Sequence, residues 1–170
     1  VATEILGRLP ATVELALAAI VVALTLAIPL GVASALWRGT FVDHAAMTVS
    51  LAGVSMPNFW LGPLLAIVFG VELGWLPVAG RGGPEHIILP AVSLGAALAA
   101  VLARMTRATL ADQLREPYVL AARARGVSRA RAVFLHAFRN SLIPIVTLAG
   151  LQVGAVLTGA VITETIFAWP

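Results

Sequence analysis

The residues able to do covalent or metal chemistry are few and scattered. His44, His86 and His136 lie far apart, and none has a second ligand at a useful spacing, which argues against a metal site in this chain. Cys is absent, so disulfides, thiolate ligands and thiol nucleophiles are excluded. There is no Lys and no glycine-rich phosphate loop closing on Gly-Lys-Ser/Thr, so nothing here is built to hydrolyse ATP. What stands out is charge gathered in one place. The stretch "EPYVLAARARGVSRARAVFLHAFRNSLIPIV", residues 116–146, sets five Arg among apolar and Ala side chains.

Composition identifies the solvent in which that stretch must work. The hydrophobic share is 60% and the charged share 11%, against roughly 45–50% and 25% in an ordinary soluble domain. The charges leave four uninterrupted windows, 15–37, 44–71, 86–103 and 140–163. Each can hold a membrane crossing of about 20 apolar residues, the third if Arg104 and Arg107 snorkel to the interface. The expected fold is therefore all-α and integral to the membrane, with helices over about 12–37, 45–71, 87–111 and 140–163 and a loop over 112–139. A soluble bundle would need four helices apolar on every face with almost no polar shell. The first window exceeds the roughly 7–15 residues of a signal-peptide core, and no basic segment precedes it.

Four crossings place Arg8 and Arg81 on one side, and Arg38 with the eight Arg from Arg104 to Arg139 on the other. Nine against two is a positive-inside bias that sets the Arg-rich segment in the cytoplasm. Within it, Pro117 suits a first helical turn and Glu116 complements the helix dipole. Gly126 reads as a left-handed helix stop, and Ser128 as the N-cap of a second helix. On that second helix Ala130, Val133, Phe134, Ala137 and Phe138 share one arc, and Arg129, Arg131, His136 and Arg139 the other. Asn140 to Pro144 then lead into the last membrane helix. A surface for anionic membrane lipid and a plain basic loop both explain the Arg. A docking element for a cytoplasmic partner also explains the length, the helicity and the Gly turn.

Inside the windows, Ala91, Gly95, Ala99 and Ala103 recur every four residues, as do Gly150, Gly154 and Thr158, a spacing that lets helix backbones approach closely. Pro57 removes a hydrogen bond in the second window, near Ser50, Ser55 and Asn58. Ser55, Asn58 and Gln152 are candidates to line a translocation path, or else they satisfy neighbouring helices. An ion-coupled secondary transporter or channel is the alternative class. It would ordinarily carry an Asp, Glu or His near the centre of a crossing, and the windows hold none there.

The Arg-rich segment resembles the cytoplasmic loop of permease subunits of binding-protein-dependent ABC importers, whose general pattern is Glu-Ala-Ala, three residues, then Gly. Ala121, Ala122 and Gly126 fit it, whereas Leu120 stands at the Glu position and Arg139 where the pattern has a Pro. These departures are similar to those of the dipeptide, oligopeptide and nickel branch. So are "RLPATVELALAA" (8–19), "SMPNFWLG" (55–62), "LGWLPVAGRG" (73–82), "LARMTRATL" (102–110) and "ITETIFAWP" (162–170). The resemblance implies a non-catalytic permease in a multi-pass bacterial or archaeal cell membrane. Its four helices would be the second to fifth of six, within a longer chain. It also implies an ATPase-coupling loop carried by Tyr118, Ala121, Ala122, Arg123, Arg125, Gly126, Ser128 and Arg129. The implied partners are a second permease subunit in a heterodimer, two ATP-binding subunits holding ATP and Mg, and a periplasmic or lipid-anchored substrate-binding protein. No cofactor would bind this chain, and the cargo would be short peptides, a nickel complex or a similar small solute.

Overall fold

The computed structural model describes residues 2–169, apart from the side chains of residues 2–6 and 58. Among the described residues every regular element is a helix: α1 (Ala2–Leu36), α2 (Phe41–Ser55), α3 (Asn58–Leu65) continuing as a π-helical turn (Ala66–Glu72), a short 3-10 turn (Pro84–Ile87) leading into α4 (Ile88–Gln113), α5 (Pro117–Ala124), and α6 (Arg129–Arg131) joined through a π-helical turn (Ala132–Phe138) to α7 (Arg139–Ile166). The stretches Gly7–Leu36, Pro84–Gln113 and Arg129–Ile166 are long and apolar enough to cross a membrane.

The centre is the α1–α4 pair. Leu15, Ala19, Ala23 and Ala27 of α1 are fully buried, at four-residue spacing, against Leu98, Leu102 and Ala103 of α4. The expected small-residue ladder of α4 lies in this seam: Ala91, Gly95, Ala99 and Ala103 are all buried. A Cβ on Gly95 would sit 2.6 Å from the Ala19 carbonyl oxygen, and one on Gly31 would sit 2.7 Å from that of Ala103. Backbone therefore packs on backbone, which only Gly permits. The α7 ladder differs from expectation. Gly150 and Gly154 are exposed, with nothing within 4 Å of a Cβ at either. Gly95→Val is accordingly expected to cost roughly 1–3 kcal/mol by overpacking, seen as a lower unfolding midpoint in detergent, while Gly150→Val leaves that midpoint unchanged.

The second window, expected as one helix over 45–71, is two helices. Met56 and Pro57 adopt extended backbone with ψ 116° and 139°, and the helices on either side differ in direction by 108°. The Pro57 ring disfavours helical backbone at Met56, and its nitrogen has no hydrogen to give the preceding turn. Pro57 instead starts α3, its carbonyl accepting from the Trp60 and Leu61 amides at 3.0 Å. The pair still follows α4. Asp43 meets Arg107, Gly53 lies against Ala100 and Ala96, and Gly62 lies against Ser93. Residues 43–62 thus follow α4 from Arg107 to Ser93, about 21 Å of that helix at 1.5 Å per residue.

The second helix of the basic loop is likewise not separate from the last membrane helix. Arg129 to Ile166 form one rod, with Pro144 inside it, because a continuous helix satisfies nearly every backbone group without water. The π-helical turn also rotates the buried face. Ala132, Val133 and Ala137 are buried, while Ala130 and Phe134, expected on that face, are exposed. Bonding from i to i+5 breaks the 3.6-residue periodicity used to assign the arc.

At the end opposite the Arg-rich loop, Trp169 Nε1 donates to the Ala11 carbonyl at 3.1 Å and the Gly80 amide donates to the Phe167 carbonyl at 2.9 Å. Arg81 pairs with Glu14 and lies 5.6 Å from the Trp169 ring. Three motif stretches distant in sequence, 8–19, 73–82 and 162–170, meet here.

Candidate functional site

The loop after α4 is built as a held platform. Glu116 has extended backbone, with φ −66° and ψ 142°, and Pro117 takes the first helical position. Val119 and Ala122 turn inward, 1% and 3% exposed. Val119 joins Ala35 of α1, Leu110 and Ala111 of α4, and Ala132 and Ala137 of the π-helical turn in a second apolar cluster. Tyr118 pegs the helix between two others. Its hydroxyl donates to Gln113 Oε1 at 2.5 Å and accepts from Asn140 Nδ2 at 2.8 Å. The outer face, with Leu120, Ala121 and Ala124, is exposed.

Gly126 ends α5 with φ +90°. Its amide donates to the Arg123 carbonyl at 3.0 Å, and the Val127 amide to that of Ala122 at 3.2 Å. These are the paired bonds of a Schellman C-cap, which need a left-handed residue at this place. A Cβ at Gly126 would meet nothing within 4 Å, so the demand for Gly is conformational and not steric. Ser128 occupies the expected N-cap position of α6, with φ −59° and ψ 150°, but its side chain makes no capping bond. Arg123, Arg125 and Arg129 are exposed, so Tyr118, Ala121, Ala122, Arg123, Arg125, Gly126, Ser128 and Arg129 all lie on one short stretch at one end of the bundle.

Of the candidate path residues, Ser55 and Gln152 do not share a cleft. The Ser55 hydroxyl donates to the Leu51 carbonyl of its own helix at 2.9 Å, and Ser50 does the same to Ala46 at 2.9 Å. Gln152 lines a cleft of about 150 Å³ between α7, α4 and α2, with Val54 and Leu98 among its walls. The side chain of Asn58 lies outside the described residues.

One group was not singled out from the sequence. Asp43, 3% exposed in the first turn of α2, accepts from Arg107 Nε at 2.6 Å and Nη2 at 2.7 Å. It also accepts from the Gly39 amide at 2.9 Å and from the Ser34 hydroxyl. Four donors from α1, the α1–α2 turn and α4 thus close on one carboxylate, just before the platform begins. The available signal was an acid and an Arg at the same end of two different windows.

Residues 27–170 match the family described as binding-protein-dependent transport system inner membrane component. The chain is 49% identical, over 98% of its length, to the di/tripeptide transport system permease protein of Pseudomonas aeruginosa (strain UCBPP-PA14). It is 46% identical, over its full length, to the glutathione transport system permease protein of Escherichia coli (strain K12). It spans 58% and 56% of those relatives. In fold it is similar to a crystal structure of an amino acid ABC transporter with histidines. That likeness has a TM-score of 0.66 at 16% identity, over 96% of this chain and 75% of that one.

Proposed function

Since the chain belongs to the family of binding-protein-dependent transport system inner membrane components, we propose that it is the permease subunit of an ABC importer carrying short peptides across a bacterial inner membrane. The observation that carries this reading is the helix α5, seated by Tyr118, Val119 and Ala122 and ended by Gly126, with its other face free. That face suits an ATP-binding subunit. Two such subunits hold ATP and Mg, a second permease subunit completes the membrane part, and a substrate-binding protein delivers cargo from outside. The exposed Gly150, Gly154 and Thr158 stripe on α7 supports a neighbouring permease helix there. The relatives' di/tripeptide and glutathione transport supports peptide cargo over a nickel complex.

In this mechanism ATP-driven closure of the ATPases displaces α5. The displacement passes through the second apolar cluster to α1 and α4, which move as one body because their backbones are in contact. The pore then alternates between inward and outward openings. ATP can shift that equilibrium only because the ATPases contact α5 differently in the two states.

The test is reconstitution of the full-length permease in proteoliposomes with its partner subunits and binding protein. Uptake of a labelled tripeptide is expected only with ATP and all partners present. Uptake by the permease alone, driven by a proton or sodium gradient, would assign it to the secondary transporters instead.

A further inference from the structure

Behind α5, on the side away from its free face, two cavities adjoin. One, of about 160 Å³, lies between Arg123 of α5, Arg129 of α6, Leu114 and the end of α1 at Leu36. The other, of about 360 Å³, is walled mainly by Leu36, Trp37, Val133 and Phe134, with Arg129 at its edge. Leu36, Arg129 and Val133 line both, so the two form one continuous recess with a basic pole and an apolar trough.

The position of the recess says what it faces. Leu36 ends the crossing Gly7–Leu36, and Val133 and Phe134 lie near the start of the crossing Arg129–Ile166. The recess therefore lies at the Arg-rich ends of two long apolar helices. Trp37 and Phe134, both 53% exposed, stand in the region where amphipathic and aromatic side chains anchor to lipid. Arg123, though exposed, follows Val119 by four residues and lines the smaller cavity with it, whereas Leu120, Ala121 and Ala124 lie on the face left for a partner. Two other Arg side chains are matched by acids, Arg107 by Asp43 and Arg81 by Glu14. Among the described residues no carboxylate lines either cavity, and neither Arg123 nor Arg129 forms an ion pair.

From this geometry we infer a binding site for an anionic phospholipid of the cytoplasmic leaflet, its phosphate between Arg123 and Arg129 and an acyl chain along Leu36, Trp37, Val133 and Phe134. Planar guanidinium groups suit a phosphate diester, and the apolar trough distinguishes a lipid from a free phosphate. The site lies between the coupling helix and the end of α1, so a bound lipid braces the platform from behind. The inference rests on the Arg-rich loop facing the cytoplasm and on the partner docked at α5 leaving the recess uncovered.

The test uses the assembled transporter in nanodiscs containing equal phosphatidylglycerol and phosphatidylcholine, with retained lipid counted by native mass spectrometry. Wild type is expected to retain phosphatidylglycerol preferentially. Arg123→Gln with Arg129→Gln should lower that preference about thirty-fold, at roughly fivefold for each surface charge. Arg131→Gln, which lines neither cavity, should keep it. Ala130→Trp, which fills the apolar trough without changing charge, should lower lipid retention and guards against a folding defect of the Arg variants. Three results overturn the site: no headgroup preference in wild type, displacement of the lipid by millimolar inorganic phosphate, or a preference that appears only after the ATPase subunits are stripped. The last would mean that an ATPase subunit covers the recess.

Discussion

Arg107→Ala is expected to destabilise the folded chain by about 3–5 kcal/mol, because it strands a buried carboxylate that has lost its counter-charge. Asp43 is 3% exposed, and two of its donors come from Arg107 at 2.6 and 2.7 Å. The remaining Ser34 hydroxyl and Gly39 amide carry no net charge to balance it. Arg107→Lys should also fail, since an ammonium cannot supply two parallel bonds to one carboxylate. The double variant Asp43→Leu with Arg107→Met should recover most of the loss, because apolar replacement of a buried pair is often neutral. Thermal unfolding of the detergent-solubilised full-length protein across this mutant cycle separates pairing from packing. A single Arg107→Ala variant within about 0.5 kcal/mol of wild type would show that the pair contributes nothing measurable, as many exposed pairs do. In the assembled transporter the same break should loosen the α1–α2 turn from α4 immediately before the coupling platform. Transport per ATP hydrolysed should then fall beyond what reduced protein yield explains.

Gly126→Val should insert in the membrane normally and transport poorly. A residue with a Cβ costs roughly 1–2 kcal/mol in left-handed backbone, and a β-branched one is the least tolerated. At φ +90° that cost falls on the turn itself, and escaping it breaks the bonds from Gly126 to Arg123 and from Val127 to Ala122. Converted to docking, the penalty corresponds to about five- to thirty-fold weaker retention of the ATPase subunits. Substrate-stimulated ATP hydrolysis should drop in parallel. Since no atom lies within 4 Å of a Cβ at this position, Gly126→Asn offers a sharp control. Asn tolerates left-handed backbone and should restore much of the activity. Equal damage from Asn and Val would show that bulk at the docking surface, and not the turn, is what matters.

Legibility from sequence varied with the range of the interaction responsible. Pro117, Gly126 and the position of Ser128 were readable because caps act within a few residues and their backbone requirements are local. The Ala91–Ala103 ladder was readable because a four-residue repeat of small side chains has one evident use in an apolar helix. The matching Leu15–Ala27 repeat on α1 was not separated from the general richness in Ala. Pro57 was correctly seen as a disruption, yet its consequence, a change of direction by 108° and not a local gap in one helix, depended on what α3 could pack against beyond it. The face assigned to residues 130–138 was displaced because a π-helical turn leaves no periodic trace in the sequence.

By itself the sequence determined the solvent, the number of apolar segments, the end of the bundle that carries the basic loop, and the punctuation of that loop. Each follows from composition, charge placement or a backbone preference confined to neighbouring residues. Only the tertiary structure decided which small-residue stripe is packed and which is left bare, that Tyr118 is pegged between Gln113 and Asn140, and that Asp43 finds Arg107. It also decided that Arg123 turns toward Arg129 and the end of α1. The physical reason is common to all four. Each is a pairing between separate helices, and the rotation of a helix about its axis, which chooses the partner, is set by packing against the whole bundle.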